Sequence, residues 1–176
     1  MSNKLIGCLV VSAVLQTSVS VWGQNIAQAK QRVVNLLDAK CVSSGLGTVR
    51  EEKLDVAIGR AVYSSQFYLG PGYRSAAMTC KIKPDNIPAP IFQTFNLGFG
   101  MRDNDTRSAP VEVRVFLDGK QAESVRVSPS QPATLSFNVN NVSNVAIEAT
   151  CTSTSQYCDR VYFYDASLQR PPIEKK

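Results

Sequence analysis

The apolar and polar residues of the chain follow two periods, one typical of a helix and one typical of β-strands. Between residues 25 and 40 the apolar side chains are spaced for one face of a helix, namely Ile26, Ala29, Val33, Leu36 and Leu37. This spacing predicts a short N-terminal helix, with Asn25 as its N-cap. The segment from Cys41 to Gly47 is rich in serine and glycine and predicts a loop.

Beyond residue 46 the period changes to two. Val111, Val113 and Val115 alternate with polar residues, and the dipeptide Asp118-Gly119 that follows suits a tight hairpin turn. A partner strand is expected at 124–128, and further strands are expected at 56–63, 74–82, 92–101, 135–139, 145–149 and 161–164. About eight short strands separated by Gly and Pro turns predict a mainly β protein, an antiparallel β-sandwich or jelly roll.

The N-terminal segment has the three-part pattern of a secretory signal peptide. A basic residue precedes an apolar stretch over 5–15, and a polar stretch follows. We expect residues 1–23 to be a leader that is cleaved after Gly23, while Ser20 and Ala29 end alternative cleavage sites. The apolar stretch is too short to cross a bilayer about 30 Å thick, so we expect a secreted protein, periplasmic or extracellular, without a membrane span.

This leader defines the expected organisation of the chain. Residues 24–45 would form the helical segment and loop, residues 46–169 the β-sandwich, and residues 170–176 a disordered tail. The tail carries two consecutive prolines and ends on two lysines.

Export also determines the chemistry expected of the cysteines. Removal of the leader leaves Cys41, Cys80, Cys151 and Cys158, and four cysteines in an oxidising compartment predict two disulfides with three connectivities. Cys151 and Cys158 bracket a short polar loop between two strand-like segments, so we pair them and leave Cys41 with Cys80. A zinc site is the alternative, but the chain has no C-x-x-C pair.

Composition favours binding over catalysis. The chain has no histidine, which excludes Ser-His-Asp and Cys-His catalysis and imidazole ligation of zinc. Its 19 lysines and arginines are scattered among 14 acidic residues. Because no basic block is interleaved with aromatic residues, nucleic acid is not an expected partner.

Three motifs in the second half of the chain carry a family resemblance. They are Phe95–Asp103, an apolar strand that runs into glycine and an acidic turn; Val113–Lys120, a V-x-V-x-x-D-G-K hairpin; and Asp159–Leu168, a closing strand with an Asp-Ala pair before leucine. Together they resemble the NPCBM family of carbohydrate-binding modules, over less than half of the chain. The resemblance implies a galactose-binding-like jelly roll and a non-catalytic module that binds a glycan or another cell-surface polymer.

Aromatic residues supply the candidate binding site, because sugar binders stack planar rings against the apolar faces of sugars. Several aromatic residues cluster around the predicted loop 70–72, and we select Tyr68, Tyr73 and Arg74 as ligand contacts. Tyr162 and Tyr164 share one face of a predicted strand. That face is either exposed or covered by the N-terminal helix, and a covered core is the favoured interpretation.

Carboxylates supply two further hypotheses. Asp103 and Asp105 place oxygen donors on a predicted loop, which suits a structural calcium ion, although an ordinary Asx turn is favoured. A glycosidase needs two carboxyl groups about 5–9 Å apart across a cleft, which neighbouring acidic residues do not indicate. We therefore expect no catalytic residue and no cofactor except this calcium. The alternative function is a secreted structural or protein-interaction domain without a sugar site.

Overall fold

The structure is a computed structural model that describes residues 32–87 and 91–171. Within these two ranges the chain forms eleven β-strands and one 3-10 turn, and no α-helix. The strands are β1 Val33–Asn35, β2 Lys40–Gly45, β3 Thr48–Ile58, β4 Ala61–Gly70, β5 Ser75–Lys81, β6 Thr94–Gly100, β7 Val111–Leu117, β8 Lys120–Val127, β9 Pro132–Asn138, β10 Asn144–Cys151 and β11 Val161–Gln169.

The strands form two sheets that pack face to face. One sheet has the order β3-β4-β11-β6-β9, with β1 paired to the C-terminal part of β11, and the other has the order β2-β5-β10-β7-β8. Neighbouring strands in both sheets are antiparallel. The predicted antiparallel β-sandwich is therefore confirmed.

The β7–β8 hairpin shows how the local sequence sets this fold. Val111, Val113 and Val115 are fully buried on the inner face, as their alternation predicts. Asp118 and Gly119 connect the two strands with φ angles of 47° and 79°. Two consecutive positive φ angles are typical of the tight turn that Asp-Gly favours, so this prediction is confirmed.

The predicted N-terminal helix is wrong for the part of it that is described. Residues 33–40 contain β1, a 3-10 turn at Leu36–Asp38 and the start of β2. Asn35 caps the turn by accepting a hydrogen bond from the Leu37 backbone N–H at 2.9 Å. Because β1 and β2 belong to different sheets, the turn carries the chain across the sandwich edge and buries Leu36 completely.

The sheets therefore begin before residue 46, within the segment assigned to a helix and loop. The predicted leader, the helix residues 25–31 with Asn25, and residues 172–176 of the predicted tail lie outside the described residues. In the portion that is described, no helix is long and apolar enough to cross a membrane.

Four phenylalanines are the largest fully buried side chains in the core between the two sheets. Phe67 and Phe163, from neighbouring strands, stack with their ring centroids 4.5 Å apart and an interplanar angle of 2°. Phe95 and Phe99 are also fully buried, on the same inner face. Burying a Phe side chain contributes about 1.5–3 kcal/mol, so each of these rings stabilises the packing of the two sheets.

Both predicted disulfides are present. Cys41 and Cys80 lie directly opposite each other on β2 and β5, with their Cα atoms 4.0 Å apart. Cys151 and Cys158 close the loop between β10 and β11. The first bridge attaches the edge strand β2 to its sheet, and the second fixes the shape of a loop.

A second, smaller core lies on the outer face of the six-stranded sheet. A register shift between Glu51 and Leu54 bends the β3–β4 hairpin, which folds across β11 and β6. The residues enclosed beneath it are Val56, Ile58, Tyr68 and Tyr162, flanked by Leu54, Tyr63 and Tyr164. The predicted cover over Tyr162 is therefore real, but the hairpin provides it in place of an N-terminal helix.

Gly98 makes room for this arrangement. A Cβ atom at residue 98 would collide with the Tyr164 ring. Tyr164 in turn stacks on Tyr63 of the hairpin, with ring centroids 4.2 Å apart. The glycine in β6 thus allows the hairpin to lie close to the sheet.

Candidate functional site

Five of the ten connections between the eleven strands lie at one end of the sandwich. The strand register places Leu69 beside Val161, Gly100 beside Pro132, and Cys151 beside Val111, so these strand ends lie together. The connections at this end, which we name the loop end, are 46–47, 71–74, 101–110, 128–131 and 152–160.

Two exposed tyrosines meet at the loop end. Tyr73 lies between β4 and β5 and is 60% exposed, and Tyr157 lies between β10 and β11 and is 51% exposed. Their ring centroids are 5.4 Å apart and the ring planes are nearly perpendicular, at 83°. We name them the tyrosine pair. Large exposed aromatic side chains of this kind commonly mark interaction sites.

The loops that carry the tyrosine pair are fixed to each other. The backbone N–H of Cys158 donates a hydrogen bond to the carbonyl oxygen of Gly72 at 2.9 Å, and the two residues form a β-bridge. The Cys151–Cys158 disulfide closes the loop that contains Tyr157. Both rings therefore project from a fixed backbone, which lowers the entropy lost when a ligand binds.

Arg74 follows directly after Tyr73 and is exposed. Its backbone is anchored, because its N–H donates to Pro71 O and its carbonyl oxygen accepts from Cys151 N–H, both at 2.9 Å. Its guanidinium group forms no ion pair within the described residues. A guanidinium group offers five N–H donors, so Arg74 is a candidate source of polar contacts next to Tyr73 in the sequence.

Tyr68 does not occupy the position that the sequence predicted. It is 2% exposed, because it lies within β4 on the face that the β3–β4 hairpin covers. Its ring packs against Tyr162 at a centroid distance of 5.7 Å, and the Arg160 guanidinium covers it. The prediction of Tyr68 as a stacking residue is corrected, since neither face of the ring is open to a ligand.

Asp103 and Asp105 bind groups of this chain. Asp103 accepts hydrogen bonds from the backbone N–H groups of Gly59 and Arg60, at 2.7 and 3.0 Å. Asp105 is 6% exposed and pairs with Arg102, which donates to it at 2.8 Å. Among the described residues, no three His, Cys, Asp or Glu side chains form a group able to hold a metal. Calcium at Asp103 and Asp105 thus stays a prediction that these contacts do not support.

The sequence alone does not single out Tyr157 as a candidate binding residue. Its position between Cys151 and Cys158 was a usable signal, because a disulfide-closed loop holds an exposed ring in place. The sequence does not predict that Tyr157 lies near Tyr73, because the two residues are 84 positions apart and the fold alone brings their rings together.

Comparison with solved structures supports the fold expectation. No protein-family model and no curated protein matches the chain. The CBM51 from Clostridium perfringens GH95, solved in complex with methyl-galactose, matches with a TM-score of 0.62 and 12% identity over 78% of this chain and 99% of that one. The CBM51-2 and INT domains from Clostridium perfringens ZmpB match with a TM-score of 0.63 and 14% identity.

The match to this ZmpB structure covers 79% of this chain but only 32% of the ZmpB chain. The same ZmpB domains have also been solved in complex with GlcNAc, and that structure matches with a TM-score of 0.63 and 14% identity. At these identities the likeness defines the fold alone. The chain therefore has the β-sandwich fold of carbohydrate-binding modules, as its resemblance to the NPCBM family implies.

Proposed function

We propose that the protein is an exported, non-catalytic carbohydrate-binding domain that holds a sugar ring against the tyrosine pair. The observation that carries this proposal is the pair itself, two exposed aromatic rings on anchored loops. The fold supports it, because CBM51 structures of the same fold were solved in complex with methyl-galactose and with GlcNAc.

The chemistry of the loop end suits a sugar. A pyranose presents an apolar face of C–H groups and a rim of hydroxyl groups, which match an aromatic ring and nearby hydrogen-bond donors respectively. Tyr73 and Tyr157 provide the rings, and their own hydroxyl groups can bond to the sugar rim. Arg74 adds guanidinium donors beside them.

A binding role also fits the carboxylates of the loop end. Glycoside hydrolysis needs one carboxyl group to donate a proton and a second to attack or activate water. Asp103 holds the β3–β4 turn and Asp105 holds Arg102, so both have structural partners. Export is proposed because the two disulfides are typical of proteins in oxidising compartments.

Calorimetric titration with methyl-galactoside and with GlcNAc tests this function. We expect Tyr73→Ala and Tyr157→Ala each to weaken the affinity for the sugar that binds by about tenfold, or ~1.4 kcal/mol. Tyr73→Phe retains the ring and should bind within about threefold of the parent protein. Val62→Ala is the control, since Val62 is 77% exposed on the β3–β4 hairpin. Unchanged binding by both alanine variants would refute the site.

A protein-interaction domain is the second candidate. Val42 is 61% exposed on the edge strand β2, and Leu46, in the connection that follows β2, is 78% exposed. An open sheet edge with apolar side chains can pair with a strand of another protein. If no saccharide binds and Val42→Asp abolishes capture of a protein ligand, this second function is favoured.

A further inference from the structure

A row of aligned residues crosses three strands on the outer face of the six-stranded sheet, close to the loop end. The antiparallel register places Arg50 of β3 opposite Tyr68 of β4, and Tyr68 opposite Tyr162 of β11. Directly opposed residues project from the same face of a sheet. Arg50 therefore lies at the exposed end of a row whose other two members are buried tyrosines.

Arg160 covers the centre of this row. Its guanidinium carbon lies 4.3 Å from the centroid of the Tyr68 ring, which is the geometry of a cation–π contact. Its side-chain stem crosses Gly70, since a Cβ atom at that residue would lie 3.4 Å from Arg160 Cγ. The aromatic ring and the glycine together fix an exposed guanidinium group over the sheet. We name Arg50 and Arg160 the arginine patch.

The charges of the arginine patch have no ion-pair partner among the described residues. Within residues 32–87 and 91–171, neither Arg50 nor Arg160 forms an ion pair, whereas the neighbouring Arg102 is paired with Asp105 at 2.8 Å. Arg50 is exposed on β3, and Arg160, which is exposed just before β11, places its guanidinium over Tyr68, the residue opposite Arg50. A fixed cationic group without a counter-charge is suited to bind an anion from solution.

No acidic group beneath the patch forms an ion pair with it in the described chain. Asp159 precedes Arg160 but forms no ion pair in the described chain, and burial together with the nearby Asp105 charge raises its pKa. Burial also raises the pKa of the Tyr162 phenol, against the effect of the nearby Arg160 guanidinium. The Tyr162 hydroxyl makes no hydrogen bond of good geometry to any described residue.

We infer that the arginine patch binds an anionic group, a carboxylate or a sulfate, on the saccharide that the domain recognises. A guanidinium group presents two parallel N–H donors that match the paired oxygens of either anion. The inference rests on the proposed function and narrows its ligand class to acidic saccharides. The tyrosine pair would hold the sugar ring, and the patch would discriminate charged from neutral polymers.

Binding to matched polymers tests this inference. The probes are dextran sulfate, polygalacturonic acid and neutral dextran, with methyl-galactoside as the reference for the tyrosine pair. We expect Arg160→Gln and Arg50→Gln to weaken the affinity for at least one acidic polymer by about five- to tenfold. Arg160→Lys keeps the charge but loses the paired donors, so its affinity should fall between those of Arg160→Gln and the parent.

Arg126→Gln is the matched control, because Arg126 is exposed on β8 of the other sheet. This substitution removes one positive charge, as Arg160→Gln does. If Arg160→Gln weakens binding to dextran sulfate, the recognised anion is a sulfate. If it weakens binding to polygalacturonic acid, the recognised anion is a carboxylate. Equal weakening by Arg160→Gln and Arg126→Gln would mean general attraction between charges and would overturn the inference. Binding of methyl-galactoside through Tyr73 without any affinity for the acidic polymers would also overturn it, while the proposed function would stand. Loss of both kinds of binding would reject the two proposals together.

Discussion

At the scale of single residues, Asp103 connects the loop end to the turn of the β3–β4 hairpin. Its carboxylate accepts hydrogen bonds from the backbone N–H groups of Gly59 and Arg60, whose φ angles are 60° and 67°. A positive φ angle is unfavourable for Arg60, because its Cβ atom is crowded by the backbone in that conformation. The hydrogen bonds from Arg60 and other donors stabilise the ionised form of Asp103 and lower its pKa.

Replacement of Asp103 should reveal this contribution. A lowered pKa means that the stabilisation is present above the pKa of the unfolded chain and is lost as the pH falls through the folded pKa. We expect Asp103→Ala to have a lower Tm at pH 7 and a weaker loss of Tm between pH 5 and pH 3 than the parent protein. Glu52→Ala serves as the control, since Glu52 is exposed on β3. Equal Tm values at pH 7 would contradict the role of Asp103.

Asp159 should behave in the opposite way. Burial first, and then the Asp105 charge, raise its pKa despite the attraction of Arg102 and Arg160. The ionised carboxylate is therefore a cost to the folded state, and the cost disappears as the pH falls through the raised pKa. We expect Asp159→Asn to raise the Tm at pH 7, with the gain shrinking toward pH 4. A lower Tm at pH 7 would show that its charge stabilises the fold.

At the scale of elements, the two disulfides have separate roles. The Cys41–Cys80 bridge spans a sequence separation of 39 residues and attaches β2, while Cys151–Cys158 spans 7 residues and shapes the Tyr157 loop. In the chain-entropy description, a disulfide stabilises the folded state by restricting the unfolded chain, and more so when the loop is longer.

Removal of each bridge should separate stability from binding. We expect the Cys41→Ala/Cys80→Ala variant to lose about 4 kcal/mol of unfolding free energy, and the Cys151→Ala/Cys158→Ala variant about 2.5 kcal/mol. The second variant should lose more of its sugar affinity at a temperature where both are folded, because it releases Tyr157. Denaturant unfolding and calorimetric titration measure the two effects. Greater loss of affinity in the first variant would contradict this division.

Element prediction from sequence succeeded where turn chemistry and period agreed. Asp118-Gly119 marks the β7–β8 turn, and the alternating valines mark the buried face. The Gly59-Arg60 turn between β3 and β4 lies within the segment 56–63, which was expected to be one strand. Its arginine gives no turn signal, and its conformation depends on the distant Asp103.

The helix prediction failed for a related reason. Val33 on β1 and Leu36 and Leu37 on the 3-10 turn happen to follow a helical spacing, although only Leu36 is fully buried in the sandwich core. The local spacing of apolar residues gives no information about the pairing of β1 with β11, so the sequence alone could not exclude the helix.

At the scale of the whole molecule, the sequence predicted the sandwich but not which residues meet on its surface. Tyr73 and Arg74 lie at the loop end as exposed residues, while Tyr68 is buried because β3 and β4 fold over their own sheet. Tyr157 joins the site from the far half of the chain. Burial and proximity of this kind arise from long-range topology, which motif spacing does not encode.

A crystal structure with the tightest-binding saccharide would test the central claim most directly. The account predicts a sugar ring in van der Waals contact, at about 4 Å, with Tyr73 or Tyr157, and a hydroxyl or acidic group of the ligand toward a guanidinium group. A sugar bound elsewhere, for example against Asn96 and Ser136 on the outer face of the six-stranded sheet, with the tyrosine pair left bare, would contradict it.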